Sequence, residues 1–332
     1  MINERINLCT LFDSNYLSRG VTMYQSLERT GCDFHLFVFA FDAKCFDVLQ
    51  KLDFKNITVI PLHDFEDEEL LKVKPTRSRA EYCWTCSSST ILYCLEQFNL
   101  SNCTYIDADL FFYNDPGILV DEMGDQSVMI TEHRYTPKYD KTKLSGKYCV
   151  QFVTFKNDAK GLKVLKWWRN ACIDWCYARH EEGKFGDQKY LDDWLTRFEG
   201  VHELQHLGGG LALWNIQQYH VFYQKDKLMC SEISTGKSFE PVFYHFHYIK
   251  YFTNGRVELG RREIAADVKE LFYLPYLRQM EMAKAMINKA DASFDPHGAG
   301  KAPGGFKSLL VKVWRKLNGV YHIYDLKNLL NN

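Results

Sequence analysis

Apolar residues in the first hundred positions fall into two alternating kinds of run. "INLCTLF", "FHLFVFAFD" and "ITVIPL" are short and almost continuously apolar, as parallel strands buried on both faces are. Between them, "YLSRGVTMYQSLERTG" places Leu17, Val21, Tyr24 and Leu27 at helical spacing and stops at Gly31, and "KCFDVLQKLD" has the same period. Both predict helices. A further helix is expected over "EYCWTCSSSTILYCLEQF", leading into a strand at "CTYIDAD". "QSVMITEHR" and "YCVQFVTFKND" read as strands. "GLKVLKWWRNACIDWCYARHEE" reads as one long amphipathic helix with Leu165, Trp168, Cys172 and Trp175 on one side. "FGDQKYLDDWLTRFEGVHELQHLGGGLALWN" mixes a short helix with a Gly-rich loop, and "EPVFYHFHYIKYF" is the last strand expected. From Arg261 the pattern turns helical, apart from the loop "DASFDPHGAGKAPGG". This alternation predicts an α/β doubly wound domain with a mostly parallel central sheet and helices on both faces. The boundaries expected are 1–260 for that domain and 261–332 for a helical C-terminal extension.

Composition narrows the class. The 332 residues are 46% hydrophobic with a net charge of −1, so there is core enough for one large or two ordinary domains and no bias towards nucleic acid. No run of ~18 apolar residues suggests a spanning helix. The N-terminal apolar run ends at Asp13, too early for a secretory leader. Eleven Cys without framework spacing point to free thiols and a cytoplasmic location. Cys83 and Cys86 in "CWTC" read as small apolar side chains on a helix, and Cys172 and Cys176 as a helical i,i+4 packing pair.

Candidate chemistry begins with "TYIDADLFFYNDP". Two carboxylates, Asp107 and Asp109, interrupt an apolar run at the carboxyl end of a strand, where ligands of open α/β sheets bind. Residues i and i+2 of a strand share a face, so the pair suits Mg²⁺ or Mn²⁺; solvated carboxylates capping a helix are the plain alternative. His245 and His247, also at i,i+2, offer a further metal ligand. Asp187 and Gln188 stand at an expected helix start, where Asp also serves as an N-cap. Arg79, with Arg77 and Lys74, would meet a pyrophosphate or belong to a solvated loop. Trp214 offers either a platform for a sugar ring or a core side chain. "GGG" at 208–210 is no P-loop and reads as a flexible loop beneath an acceptor.

"YIDADLFFYNDP" resembles the DxD segment of metal-dependent glycosyltransferases of the GT-A fold, which hold a cation on the nucleotide-sugar pyrophosphate. "TLFDSNYLSRGVTMYQSL" resembles the first strand and helix of the retaining, glycogenin-like and lipopolysaccharide galactosyltransferase group. Asp13, Asn15 and Tyr16 match its nucleobase- and ribose-contacting stretch, Ser14 replaces an acid, and Thr10 would face the same crevice. "FGDQKYLDDW" resembles that group's Asp-Gln segment, which implies that Asp187 grips donor sugar hydroxyls and that Gln188 lies near the anomeric carbon. "LALWN" resembles its Leu-Pro-x-x-Asn stretch, ending at Asn215. "HFHYIK" resembles its terminal His-x-x-Gly-x-x-Lys segment, with Tyr248 in place of Gly and Lys250 one position closer than usual. "YCVQF" replaces a donor-contacting Asn-Ala-Gly. His133 is a candidate donor or acceptor contact. The likeness spans roughly residues 6–255 and is closest to bacterial surface-polysaccharide transferases. It implies a metal-dependent, retaining transferase of a nucleotide sugar, expected to be a UDP-sugar, to a glycan or lipid-linked acceptor.

Two other readings are open. A phosphohydrolase with Asp107 as nucleophile is one, against which Leu110 and the aromatic run argue. The other is a non-catalytic nucleotide- or sugar-binding protein on the same scaffold. In the tail, "GFKSLLVKVWRKLNG" places Phe306, Leu309, Leu310, Val313, Trp314 and Leu317 at helical spacing, with Lys307, Lys312, Arg315 and Lys316 on the remaining surface. Such a helix either lies on an anionic membrane or docks on the catalytic domain.

Overall fold

The computed structural model describes residues 5–331, with the side chains of Phe306 and Lys307 outside the described set. In chain order the strands are β1 (Ile6–Phe12), β2 (Phe34–Ala40), β3 (Ile57–Pro61), β4 (Asn102–Ile106), β5 (Leu110–Phe112), β6 (Val128–Glu132), β7 (Tyr148–Lys156), β8 (Val201–Glu203) and β9 (Leu211–Ala212). There follow β10 (Tyr219–Gln224), β11 (Lys227–Glu232), β12 (Ser238–Phe239), β13 (Phe243–His245), β14 (Lys250–Tyr251), β15 (Arg256–Glu258) and β16 (Ile323–Asp325). The longer helices are α1 (Leu17–Thr30), α2 (Ala43–Leu52), α3 (Arg79–Gln97), α4 (Ala159–Asp174), α5 (Leu274–Ala290) and α6 (Phe306–Leu317).

The central sheet has seven strands in the order β3-β2-β1-β4-β7-β6-β8. β3, β2, β1 and β4 run parallel, β7 is antiparallel to both neighbours, and β6 and β8 are parallel. The apolar runs are continuous because both faces are covered. In β2, Leu36, Val38 and Ala40 pack towards α1, α2 and α5, while Phe37 and Phe39 pack towards α3 and α4. Each large side chain buried this way contributes about 1.5–3 kcal/mol. Gly20 lets α1 cross β1 closely, since a Cβ there would lie 2.3 Å from the Phe12 ring.

Several expectations are corrected. β3, expected to be fully buried, is an edge strand and only half covered. The helix over 161–182 ends at Asp174, where Arg77 Nη2 donates to Ile173 O at 3.0 Å and stacks on the Tyr177 ring at 3.9 Å. Cys176 therefore lies beyond the helix, although both Cys172 and Cys176 are buried. The run Gly208–Gly210 is buried. A Cβ on Gly208 would meet Glu240 O at 2.3 Å, and Gly210 has φ +98°, so close backbone approach rather than looseness explains the glycines.

Three small sheets stand beside the central one, β5-β13-β9, β10-β11-β12 and β14-β15-β16. Tyr244, Phe246, Tyr273 and Tyr276 fill the core beneath them with Phe111, and Phe246 stacks on Tyr276 at 3.8 Å. α5 packs on α1 and α2. α6 is not surrounded by cations as expected. Arg315 is 5% exposed and reaches Glu258 at 2.7 Å, Gly260 O at 2.8 Å and Val320 O at 3.2 Å. Leu309, Leu310, Val313, Trp314 and Leu317 are exposed. No helix among the described residues is long and apolar enough to cross a membrane.

Candidate metal and donor site

β4 carries the chain to Asp107, whose N–H donates to Gln151 O on β7 at 3.1 Å. A tight turn, closed by Leu110 N to Asp107 O at 3.3 Å, then reverses direction into β5. Asp107 and Asp109 thus sit in a turn at the strand end rather than within the strand. β13 pairs antiparallel with β5 so that His245 faces Leu110. That register brings His245 Nε2 to 3.0 Å from Asp109 Oδ1 and 3.6 Å from Asp107 Oδ2. One ligand atom from each of the three lies within 4.8 Å of the others. His247 lies in the turn beyond β13, its ring 5.2 Å from that of His245. It is outside the group of three.

The neighbours of this group are oriented. Gln151, fully buried, has Oε1 2.7 Å from His245 Nδ1. With Nδ1–H donating there, Nε2 faces the carboxylates. Tyr16 donates its hydroxyl to Asp109 Oδ2 at 3.2 Å and Tyr105 donates to Asp107 Oδ1 at 3.2 Å. The buried Arg19 guanidinium lies 4.3 Å from the centre of the Tyr16 ring and donates to His297 O and Ile249 O. Burial pushes the Asp107 carboxyl up, and the charge of Asp109 adds to this against the pull of His245. Burial also opposes ionisation of Asp109, but His245 and more distant Arg19 outweigh it and hold Asp109 low. For His245, burial disfavours the cation, and Asp109 and Asp107 overcome it, so the imidazole is raised. Two carboxylates and an imidazole nitrogen form a donor set suited to Mn²⁺ or Mg²⁺. An ion at Nε2 would take the place of the proton that the carboxylates otherwise hold there.

Comparison with known proteins gives the chain its relatives. It is 30% identical over 304 residues to the uncharacterized protein YfnD of Bacillus subtilis (strain 168), covering 89% of this chain and 94% of YfnD. It is 35% identical over 246 residues to the uncharacterized protein YfnF of the same organism, covering 72% of this chain and 80% of YfnF. The chain belongs to the YfnD family. No protein-family profile matches it. Among solved structures it is similar to the bifunctional glycosyltransferase WbbM in its apo form, with a TM-score of 0.50 and 12% identity over 88% of this chain and 53% of WbbM. The fold is the GT-A type expected for this α/β chain.

The other expected residues of this YfnD relative have definite places. Asp13 accepts from Asn15 N at 2.8 Å and caps the short turn of Ser14–Tyr16 at the end of β1. Arg79 at the start of α3 pairs with Asp13 and, at 2.9 Å, with Asp42. Asn15 is exposed and Gly298 packs against its backbone. Thr10 is fully buried and its hydroxyl has no partner among the described residues. Asp187 is buried, accepts from Ser87 Oγ at 2.9 Å, and makes no side-chain cap. Burial, with the charge of Asp107 behind it, pushes its carboxyl up to about 7. Gln188 donates to Ser145 O at 2.6 Å. Lys250 is exposed on β14.

On the β6 side, His133 stacks on Tyr135 at 4.5 Å and contacts Lys147 O through Nδ1. Burial pushes it down to about 3, so it is neutral. Trp214 is 5% exposed and packs against the rings of His133, His245 and His247. Asn215 is buried. Its Nδ2 donates to His133 O and Gly210 O and its Oδ1 accepts from Ala212 N, so it fastens the turn on which Trp214 sits. Gln151, Tyr105, Arg19 and Ser87 were not singled out from the sequence. Of these only Gln151 left a trace, as a lone amide in the apolar run "YCVQFVTF".

Proposed function

We propose that this chain is a divalent-metal-dependent glycosyltransferase that takes a sugar from a UDP-sugar and passes it, with retention, to a glycan or lipid-linked acceptor in surface-polysaccharide synthesis. The observation carrying this reading is the convergence of Asp107, Asp109 and His245 at the carboxyl end of β4, the ligand edge of an open α/β sheet. Mn²⁺ or Mg²⁺ held there supplies positive charge to the departing diphosphate. Gln151 fixes the His245 ring, and Tyr16 and Tyr105 orient the two carboxylates. Asp13, Asn15 and Tyr16, at the end of β1, form the edge for base and ribose, with Thr10 buried behind them and Arg79 and Lys250 as phosphate contacts. Asp187, beside Ser87, holds donor hydroxyls, and Gln188 lies by the anomeric carbon. Neither is an ordinary exposed carboxylate nucleophile. The anomeric C–O bond to the diphosphate therefore breaks while the acceptor oxygen bonds on the same face, its proton passing to the departing phosphate oxygen. His133 and Trp214 shape the acceptor side, and His247 stands behind His245.

The outward apolar stripe of α6, flanked by Lys312 and Lys316, supports peripheral attachment to the inner face of an anionic membrane. We place the catalytic unit in 1–260 and this attachment in 261–332. The test is to offer the purified full chain a panel of nucleotide sugars with Mn²⁺, follow nucleotide release, and determine the product anomer by NMR. A UDP-sugar and a retained linkage are expected. Release that is indifferent to chelator overturns the metal role, and an inverted linkage overturns the same-face displacement.

A further inference from the structure

A group of cations lies on the side of the site away from Asp13. A cavity of about 280 Å³ opens between the loop after β6 and the turn that joins β13 to β14. Lys138, Lys141, Arg261 and Arg262 line it together with Tyr139 and Tyr248. Two of these cations are answered within the chain, Lys138 by Glu263 at 2.7 Å and Arg261 by Glu258 at 3.2 Å. The one carboxylate in the wall, Asp140, accepts from Thr142 N at 2.7 Å. Lys141 and Arg262 have no carboxylate partner among the described residues. Arg262 lies 4.9 Å from the centre of the Tyr139 ring, and its Nη1 is buried without a hydrogen-bond partner among those residues. The Tyr139 ring answers part of its charge, but the buried Nη1 donor has lost water without gaining an acceptor. A doubly charged oxyanion matches its planar donors and the neighbouring ammonium.

The cavity adjoins the metal group. The Tyr248 ring is 4.7 Å from that of His247, which is 5.2 Å from that of His245. In the sheet order, β4 and β7 separate the loop after β6 from the Asp13 edge at the end of β1. We propose that this cavity binds a phosphate group carried by the acceptor, so that the acceptor is a sugar phosphate or a lipid-linked phosphate and not a neutral glycan. The word acceptor rests on the transferase reading; the phosphate site does not.

The experiment titrates methyl phosphate into the full chain by ³¹P NMR with chelator present, so that no metal contributes to binding. Saturable binding is expected. Arg262→Met and Lys141→Met should each weaken it about tenfold or more, Arg262→Lys less, and Lys227→Met not at all. Glucose 1-phosphate and a short-chain prenyl diphosphate sugar are run as competitors, and the tighter one tells a soluble from a lipid-borne phosphate. Methyl glucoside and glucuronate should not compete. Absence of metal-independent binding, equal affinity in folded Arg262→Met protein, or displacement by glucuronate as readily as by a sugar phosphate overturns the proposal. Each sample is also given UDP with Mn²⁺. Loss of UDP binding alone breaks the transferase reading, and loss of methyl phosphate binding alone breaks the phosphate subsite.

Discussion

Replacing Gln151 by Met tests how the His245 imidazole is aimed. The two side chains are similar in length, so the packing beside Gly210 changes little. What disappears is the acceptor 2.7 Å from His245 Nδ1. Both residues are buried, so water cannot replace it. Losing the acceptor leaves one buried N–H unpaired, a cost of ~1–3 kcal/mol to the fold, offset in part because the buried, unpartnered Gln151 Nε2 is removed as well. Loss of an outer partner of a metal-ligating His weakens metal binding by ~10–100-fold, or about 1.4–2.7 kcal/mol. Gln151→Glu keeps an acceptor at Nδ1 and should retain or tighten affinity. The assay is calorimetric titration of Mn²⁺ in the presence of UDP, with urea unfolding run on the same samples. If Gln151→Met unfolds more easily but binds Mn²⁺ as wild type does, the group of three is not a metal site organised through His245.

Three further outcomes follow from named contacts. Arg315→Met leaves Glu258 buried with only the exposed Arg261 beside it, a loss of about 3–5 kcal/mol for a broken buried pair; hydrogen exchange should quicken over 306–325, and unchanged protection refutes the anchoring role. Leu310→Glu with Trp314→Glu, both on the exposed stripe of α6, should lose partition onto anionic liposomes while keeping UDP binding, and equal partition removes α6 as the attachment. Asp187→Asn should raise thermal stability above pH 7 and change it little near pH 4. The folded carboxyl at about 7 lies above its ordinary 3.8, so the wild type is favoured at low pH and loses that stability as pH rises through about 7. A stability difference that does not vary with pH contradicts this burial of Asp187.

The alternation of strands and helices was legible because both faces of β1 and β2 are covered, which forces continuous apolar runs. The β10–β11 hairpin was not, since its turn uses Lys225 and Asp226 at positive φ where Asn-Gly would have signalled it. Asp107 and Asp109 stood out as acids in an apolar run. The resemblance of "HFHYIK" to a terminal His segment favoured His245 over His247, and the register of β13 on β5 supplies the physical reason, since it brings His245 to Asp109. Gln151 looked like a departure from a family pattern and proved to be the residue that holds His245. Arg315 looked like a surface cation because helical spacing cannot reveal that Glu258, far away in sequence, is buried opposite it.

The central claim is that Asp107, Asp109 and His245 bind a divalent ion through which a nucleoside diphosphate is held. Calorimetry of UDP with the metal-stripped full chain, repeated with Mn²⁺ and with Asp109→Asn, tests it most directly. UDP should bind the wild type tightly only with Mn²⁺, and the variant should lose that gain while remaining folded. Equal UDP affinity with chelator and with Mn²⁺, or a folded Asp109→Asn protein that binds Mn²⁺ and UDP as wild type does, contradicts it.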